Sequence, residues 1–243
     1  LLIMSPMQQL FLGQGAVAKK TYVDDIFSTY LYEGDSGFSH LINNGIDLAN
    51  EGGMVWIKVR GSTNDHVLFD TVQTANKHLV PNLASAAATN YDSFNSNGFT
   101  LGTDWGTKNA SGSDYASWSF RKAPGFFDVV TWTGNGVAGR QISHSLSSIP
   151  GCIMIKCTSN GLSWTVGHRS LNSGIDPWDY LLMLHNSDAE ANDATQFNDT
   201  APTSTHFTVG AANTVNGSGK TYVAYVFAGG ESTAATARSV DFD

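Results

Sequence analysis

Charge is what this chain has least of. Asp, Glu, Lys and Arg make up 14% of its 243 residues, against about 25% in ordinary soluble domains. Gly, Ser, Thr and Asn stand in their place. A helical protein needs Glu, Lys and Arg on its solvent faces, so an all-helical fold is nearly excluded. The basic side is the scarcer one: 13 Lys and Arg against 21 Asp and Glu leave a net charge of −8. Phosphate binding is driven by Lys and Arg, which argues against nucleic acid or an anionic membrane as a partner. Cysteine is limited to Cys152 and Cys157, an odd number of residues apart in one apolar run. On a strand such residues face opposite ways, so the pair does not make a disulfide scaffold. No apolar run approaches the roughly 18 residues of a membrane helix. Leu1-Leu2-Ile3-Met4 has neither the length nor the charged flank of a signal peptide.

What the chain does have is an internal repeat, spaced about 100 residues apart. Phe27–Gly34 matches Phe127–Gly134, and Gly53–Lys58 matches Gly151–Lys156. Phe94-Asn95 matches Phe197-Asn198, and Phe99–Gly102 matches Phe207–Gly210. Asn109, Gly112, Tyr115 and Phe120 match Asn216, Gly219, Tyr222 and Phe227 at one constant offset. The offsets drift slowly and the order never changes, the signature of duplication with altered loops. The matched blocks are short, rich in β-branched and aromatic residues, and bounded by Gly, Asn and Ser. They predict an all-β chain of two tandem, internally duplicated, antiparallel β-sandwich or jelly-roll-like units, residues 25–125 and 126–230. Whether these are separate or merged sandwiches stays open. A short helix fits at most near Val72–Leu79 or Asp179–Leu184. Residues 1–24 have no second copy, and residues 231–243 read as a linker into a strand of a further domain.

Several motifs invite chemistry. Gly134-Asn-Gly136-Val-Ala-Gly139 has the spacing of a dinucleotide fingerprint, but the following residues carry no helical stripe and end in Pro150, so it is expected to be a hairpin turn. Gly34-Asp35-Ser36-Gly37 is like a protease nucleophile loop, yet its aligned copy lacks the serine. The seven histidines, His40, His66, His78, His144, His168, His185 and His206, show no zinc-hydrolase spacing. Asp188–Asp199 has Asp193 where a calcium loop needs Gly, which leaves an acidic solvated loop. Asn109, Asn198 and Asn216 fit the glycosylation pattern, as chance allows in so Asn-, Ser- and Thr-rich a chain. No catalytic residue, metal site or cofactor is expected, and the chain is not expected to be an enzyme. Trp56, Trp118 and Trp132 sit in predicted strands and read as core. Trp105 and Trp178 sit in polar loops, the latter beside Asp176, and suit glycan stacking. The same pattern describes a ring folded back onto a sandwich. In the lead segment Met7, Leu10, Phe11 and Leu12 are unusually apolar for a tail and suggest a particle-anchoring contact.

Some blocks carry a resemblance. Met4-Ser-Pro-Met-Gln-Gln, Lys20–Leu31, Asn44-Gly-Ile-Asp-Leu, Glu51–Lys58, Tyr115–Val130 and Thr200–Phe207 resemble a duplicated β-domain in structural proteins of marine tailed bacteriophages, cyanophage-like ones included. The resemblance covers nearly the whole chain. It implies a virion protein made in the host cytoplasm: the N-proximal part of a tail fibre or appendage, anchored by residues 1–24. Alternatives are a capsid knob or decoration protein, or a stand-alone carbohydrate-binding module. It also implies other virion proteins as partners, a homo-oligomer with a trimer favoured, and a host-surface glycan as ligand. The ending Arg238-Ser-Val-Asp-Phe-Asp resembles the entry to a concanavalin A-like lectin domain in such proteins. The family supplies no catalytic residues. Neither nucleic acid nor membrane insertion is implied.

Overall fold

The computed structural model describes residues 21–73, 77–89, 91–102 and 107–230. The fold is all-β. The first half contributes β1 (Phe27–Glu33), β2 (His40–Asn43), β3 (Gly53–Val59), β4 (Val67–Asp70), β5 (Lys77–Leu79), β6 (Ala88–Thr89), β7 (Ser93–Asn95), β8 (Gly98–Leu101) and β9 (Asp114–Arg121). The second contributes β10 (Phe127–Thr133), β11 (Arg140–Ser143), β12 (Pro150–Cys157), β13 (Thr165–His168), β14 (Tyr180–Leu181), β15 (Ala191–Asn192), β16 (His206–Val209) and β17 (Thr221–Ala228). Single helical turns α1 (Val23–Ile26), α2 (Leu48–Glu51) and α3 (Ala194–Phe197) complete the pattern.

All pairings between these strands are antiparallel, and the two halves pair in the same order. The large sheet of the first half runs β1-β9-β3-β4-β5-β6, and that of the second runs β10-β17-β12-β13. Each is faced by a small sheet, β2-β8-β7 in the first half and β11-β16 in the second. The registers agree residue by residue: Phe27 lies opposite Phe120 and Tyr32 opposite Tyr115, as Phe127 lies opposite Phe227 and Trp132 opposite Tyr222.

Alternation along the strands explains the layers, because successive side chains leave opposite faces of a sheet. On β3, Val55, Ile57 and Val59 join Ile42, Phe99 and Tyr115 in a core between the large and small sheets of the first half. The second half has the matching core, with Ile153, Ile155, Phe207 and Tyr222. The other face of β3 carries Met54, which packs with Leu68 and Leu79 against Phe127, Met154, Val223 and Tyr225 of the second half. The two large sheets are therefore packed face to face through a third, shared core. Each half keeps a core of its own, and this third core joins them. Connecting loops add polar ties. The Trp164 indole N–H donates to the carbonyls of Val80 and Leu83, and Lys156 Nζ donates to Ala84 O.

The helix expected near Val72–Leu79 is absent from its described part. The Asp70 carboxylate accepts from the Val72 and Gln73 amides, turning the chain, and β5 follows. Near Asp179–Leu184 the chain forms a tight 3₁₀ turn at Pro177–Asp179 and then β14. Cys152 and Cys157 are free, one packed on the shared core and the other inside the second sandwich. No helix among the described residues is long and apolar enough to cross a membrane.

Candidate functional site

A polar opening lies at the seam of the two halves, where the threonine-bearing ends of β10, β12 and β17 run past the loop after β4. This cleft has a volume of about 650 Å³. Thr133 and Thr221 are register partners on β10 and β17. The Thr158 hydroxyl donates to Thr221 O at 3.1 Å and lies 2.7 Å from the Thr221 hydroxyl. Lys77 and Gln73 line the opposite wall, and Ser159 lies at the end of β12. Gln73 is held in one orientation, because its amide nitrogen donates to Asp70 Oδ2 at 2.6 Å. That fixes Oε1 as the other end of the amide, and Oε1 is buried without a hydrogen-bond partner among the described residues. The cleft presents hydroxyls and one ammonium, groups that hydrogen-bond a polyhydroxylated ligand, while Gln73 Oε1 lies buried behind its wall.

A second pocket of about 630 Å³ opens beside β4 and β5, lined by His66, His78, Val80, Tyr91 and Lys108 among others. Trp56 Nε1 donates to His66 Nδ1 at 2.9 Å, which makes that nitrogen the acceptor and places the ring proton on Nε2. Burial lowers the basicity of His66, with the Lys58 charge acting the same way, and burial also lowers His78, with Lys108 adding to it. The Lys108 ammonium meets Asp92 Oδ2 at 2.5 Å with both side chains buried. Burial pulls the Lys108 pKa down while the Asp92 carboxylate opposes it. Asp92 also accepts from the Gly102 amide, so this pair pins the β8–β9 connection to the β7 side.

The residues singled out in the sequence are scattered. Trp105 lies outside the described residues, as do Met7, Leu10, Phe11 and Leu12. Trp178 is a correction: it is 6% exposed and sits in the core of the second sandwich, edge-to-face on Phe197. The cause is Gly167 on β13, where a Cβ would come within 2.6 Å of the Trp178 ring. The missing side chain is the slot the indole fills. Asp176 is exposed in a left-handed conformation, φ 46°, and no stacking platform forms with Trp178. Trp132 is core as expected, whereas Trp56 and Trp118 are only half-buried register partners on β3 and β9.

The Asp35-Ser36 turn is a structural bracket. Asn109 accepts from the Asp35 amide and donates to Asp35 Oδ1 and Gly37 O, while His40 Nδ1 lies 2.7 Å from Asn109 Oδ1. The Ser36 hydroxyl is taken up by the Ser111 amide. In the second half Asn216 accepts from the Asn135 amide and donates to Asn135 Oδ1 and Val137 O, and Arg140 reaches Asn216 Oδ1. The Gly134–Gly139 segment is that same turn, and the chain beyond it enters β11 with no helix. Both asparagines are fully buried, which closes these two glycosylation patterns. In the acidic segment Asp193 caps α3 through the Thr195 amide, and Glu190 accepts from the Asn172 amide. Among the described residues no three His, Cys, Asp or Glu side chains gather as a metal site.

Sequence reasoning missed Gln73 and the threonines of the cleft. Alternate threonines in Thr131-Trp-Thr133 were the available signal, since they put hydroxyls on the face opposite the buried Trp132. No curated protein and no solved structure matches the chain. The family model of a domain of unknown function, DUF7483, matches residues 23–234, and the chain belongs to that family.

Proposed function

We propose that this chain is a virion structural protein, the N-proximal part of a tail fibre or similar appendage, which supports attachment to a host-surface glycan. The observation that carries this reading is the shared core. Met54 and Leu68 of one half packed on Phe127, Met154 and Tyr225 of the other fix the relative position of two sandwiches without a flexible linker. A spacer that transmits force needs that rigidity, and catalysis does not require it. The composition agrees: little of the stability rests on charge pairs that salt screens, and four ion pairs are found among the described residues, two of them with a carboxylate about half exposed. In this role the chain carries no reaction chemistry of its own. Its repeated brackets around Asn109 and Asn216 support an origin by duplication of one sheet-forming unit.

The test is position on the particle. Antibody against residues 21–230, imaged on intact virions, is expected to label the tail or its appendages. Label confined to the head shell identifies a capsid decoration protein, and absence from particles overturns the reading.

The seam cleft favours glycan binding as part of this role. Its threonine and serine hydroxyls suit sugar hydroxyls better than an apolar ligand. A glycan array is expected to show binding that Lys77→Ala and Thr133→Val each weaken, with the melting temperature held. Retained binding in both variants moves the glycan site elsewhere.

A further inference from the structure

We infer that the outer edge of β1 is a docking edge for a second copy of this chain, joined strand to strand about a two-fold axis. Among the described residues β1 is the terminal strand of its sheet and pairs with β9 alone. The direction of its backbone groups follows from three bonds. The Gly34 amide donates to Ser113 O of the adjoining turn, and the Ser117 hydroxyl reaches Tyr30 O, so even-numbered residues face β9. The Phe27 amide instead donates to Val23 O, on the outer side. Amide and carbonyl of one residue point the same way in an antiparallel strand. Thr29 and Leu31 therefore aim both groups outward, and among the described residues nothing partners them. Thr29 differs in this from its counterpart Val129 on the second half, whose amide is capped, whereas Thr131, the counterpart of Leu31, has no cap among the described residues.

That comparison is what singles out β1. On β10 the Asp128 carboxylate accepts from the Val129 amide, the Ala123 amide donates to Phe127 O, and the Arg140 guanidinium donates to Thr133 O. The aligned residues of the first half are Ser28 in place of Asp128 and His40 in place of Arg140, and His40 turns to Asn109 instead. The β10 edge thus carries caps at Phe127, Val129 and Thr133, and none is found at Thr29 or Leu31 of β1 among the described residues. Edge strands are normally blunted by Pro, Lys, bulges or covering loops, because a bare edge recruits another strand. Phe27-Ser-Thr-Tyr-Leu-Tyr-Glu33 has no Pro, no Lys and no bulge, its single charge sits at the end, and Leu31 is 57% exposed.

A second copy is the occupant that fits. An antiparallel register centred on Tyr30 sets Thr29 of each copy against Leu31 of the other, so outward groups meet outward groups. The two Tyr30 rings fall opposite one another, and Glu33 faces Phe27 rather than Glu33. Cross-strand aromatic pairs and the avoidance of opposed like charges both favour that register. An isologous two-fold pairing uses the β1 edge of both copies, so the association closes at two copies. This replaces the three-fold arrangement that the resemblance implies, and it does not depend on the particle role or on the cleft.

The experiment is sedimentation equilibrium of the full chain across a micromolar concentration series. The wild type is expected to show a reversible monomer–dimer equilibrium. Thr29→Pro removes one outward N–H per copy without touching the β9 ladder, and Leu31→Lys puts charge on the edge. Each is expected to weaken the dimer by about ten-fold or more, with unchanged far-ultraviolet circular dichroism. Tyr30→Cys is expected to form an inter-chain disulfide on mild oxidation, which also tests the register. A wild type that stays monomeric, a dimer that survives both edge variants, or an oxidised Tyr30→Cys variant that stays uncrosslinked overturns the proposal.

Discussion

The Tyr225 hydroxyl donates to Asp70 Oδ2 at 2.6 Å, and these residues belong to opposite halves of the molecule. Asp70 ends β4, is 4% exposed, and also accepts from the Val72 and Gln73 amides and from the Gln73 side chain. The bond thus ties the shared core to the wall of the seam cleft. Tyr225→Phe keeps the ring and removes the donor, leaving a buried carboxylate one bond short. The expected loss is about 1–3 kcal/mol in urea unfolding. A loss within error would mean that water replaces the hydroxyl.

Shared packing implies shared unfolding. Met54 is fully buried and contacts residues of both halves. Its replacement in Met54→Ala is expected to destabilise the chain by about 2–5 kcal/mol. The wild type is expected to unfold in one calorimetric transition, and the variant is expected to keep one transition at lower temperature. Two resolved transitions in the wild type would show that the shared core does not couple the halves.

Stability is expected to fall at both ends of the pH scale. Burial raises the hydroxyl pKa of Tyr32 and Tyr225 well above the usual 10 and pushes Tyr222 up to about 12. A raised folded-state value means stability that is complete below pH 10 and is lost as pH climbs above it. Burial lowers His66, His78 and His144 below the usual 6.5. A lowered histidine gives stability that is complete above pH 6.5 and is lost as pH falls through the folded-state value. Melting temperatures are expected to fall below about pH 6.5, where these histidines take up protons on unfolding, and above about pH 10, where these tyrosines lose them. Tyr225→Phe is expected to shallow the alkaline arm and leave the acid arm as it is.

The Asn109 and Asn216 brackets make a matched pair of tests. Each asparagine is fully buried and holds its turn through one accepted and at least two donated backbone or side-chain bonds. Asn109→Ala and Asn216→Ala are expected to cost about 1–3 kcal/mol each, since each removes several hydrogen bonds made by a buried side chain. Asn216 makes a further bond to Gly210 O, so its replacement is expected to be the more damaging.

The recurring spacing in the sequence falls on residues with backbone duties. Gly34 and Gly134 are needed where a Cβ would lie 2.2 Å from the carbonyls of Ala110 and Gly217, and these are the glycines that end the first matched blocks. Strand identity was legible from alternation in Tyr115-Ala-Ser-Trp-Ser-Phe. What alternation cannot give is the partner of a face. Met54 and Val55 are adjacent apolar residues, and only the packing assigns one to the shared core and the other to a sandwich. The cleft was illegible for the same reason, since Gln73 and Thr133 come from different halves. Loop aromatics misled because a polar neighbourhood in sequence says nothing about where the ring points.

Trp178 is the sharpest instance, and its replacement separates a packing role from a binding role. The indole fills the space above Gly167 and meets Phe197 edge-to-face with ring centroids 5.5 Å apart. Trp178→Ala removes a large buried side chain that the Pro177–Asp179 turn cannot follow inward, so the expected cost is about 3–5 kcal/mol. Asp176→Ala changes an exposed residue and is expected to cost under about 1 kcal/mol, or to stabilise if the alanine leaves the left-handed conformation. Any loss of glycan binding in Trp178→Ala is therefore expected to track the unfolded fraction and to vanish at low temperature. Binding lost in Trp178→Ala while its unfolding midpoint matches the wild type would return this ring to the site.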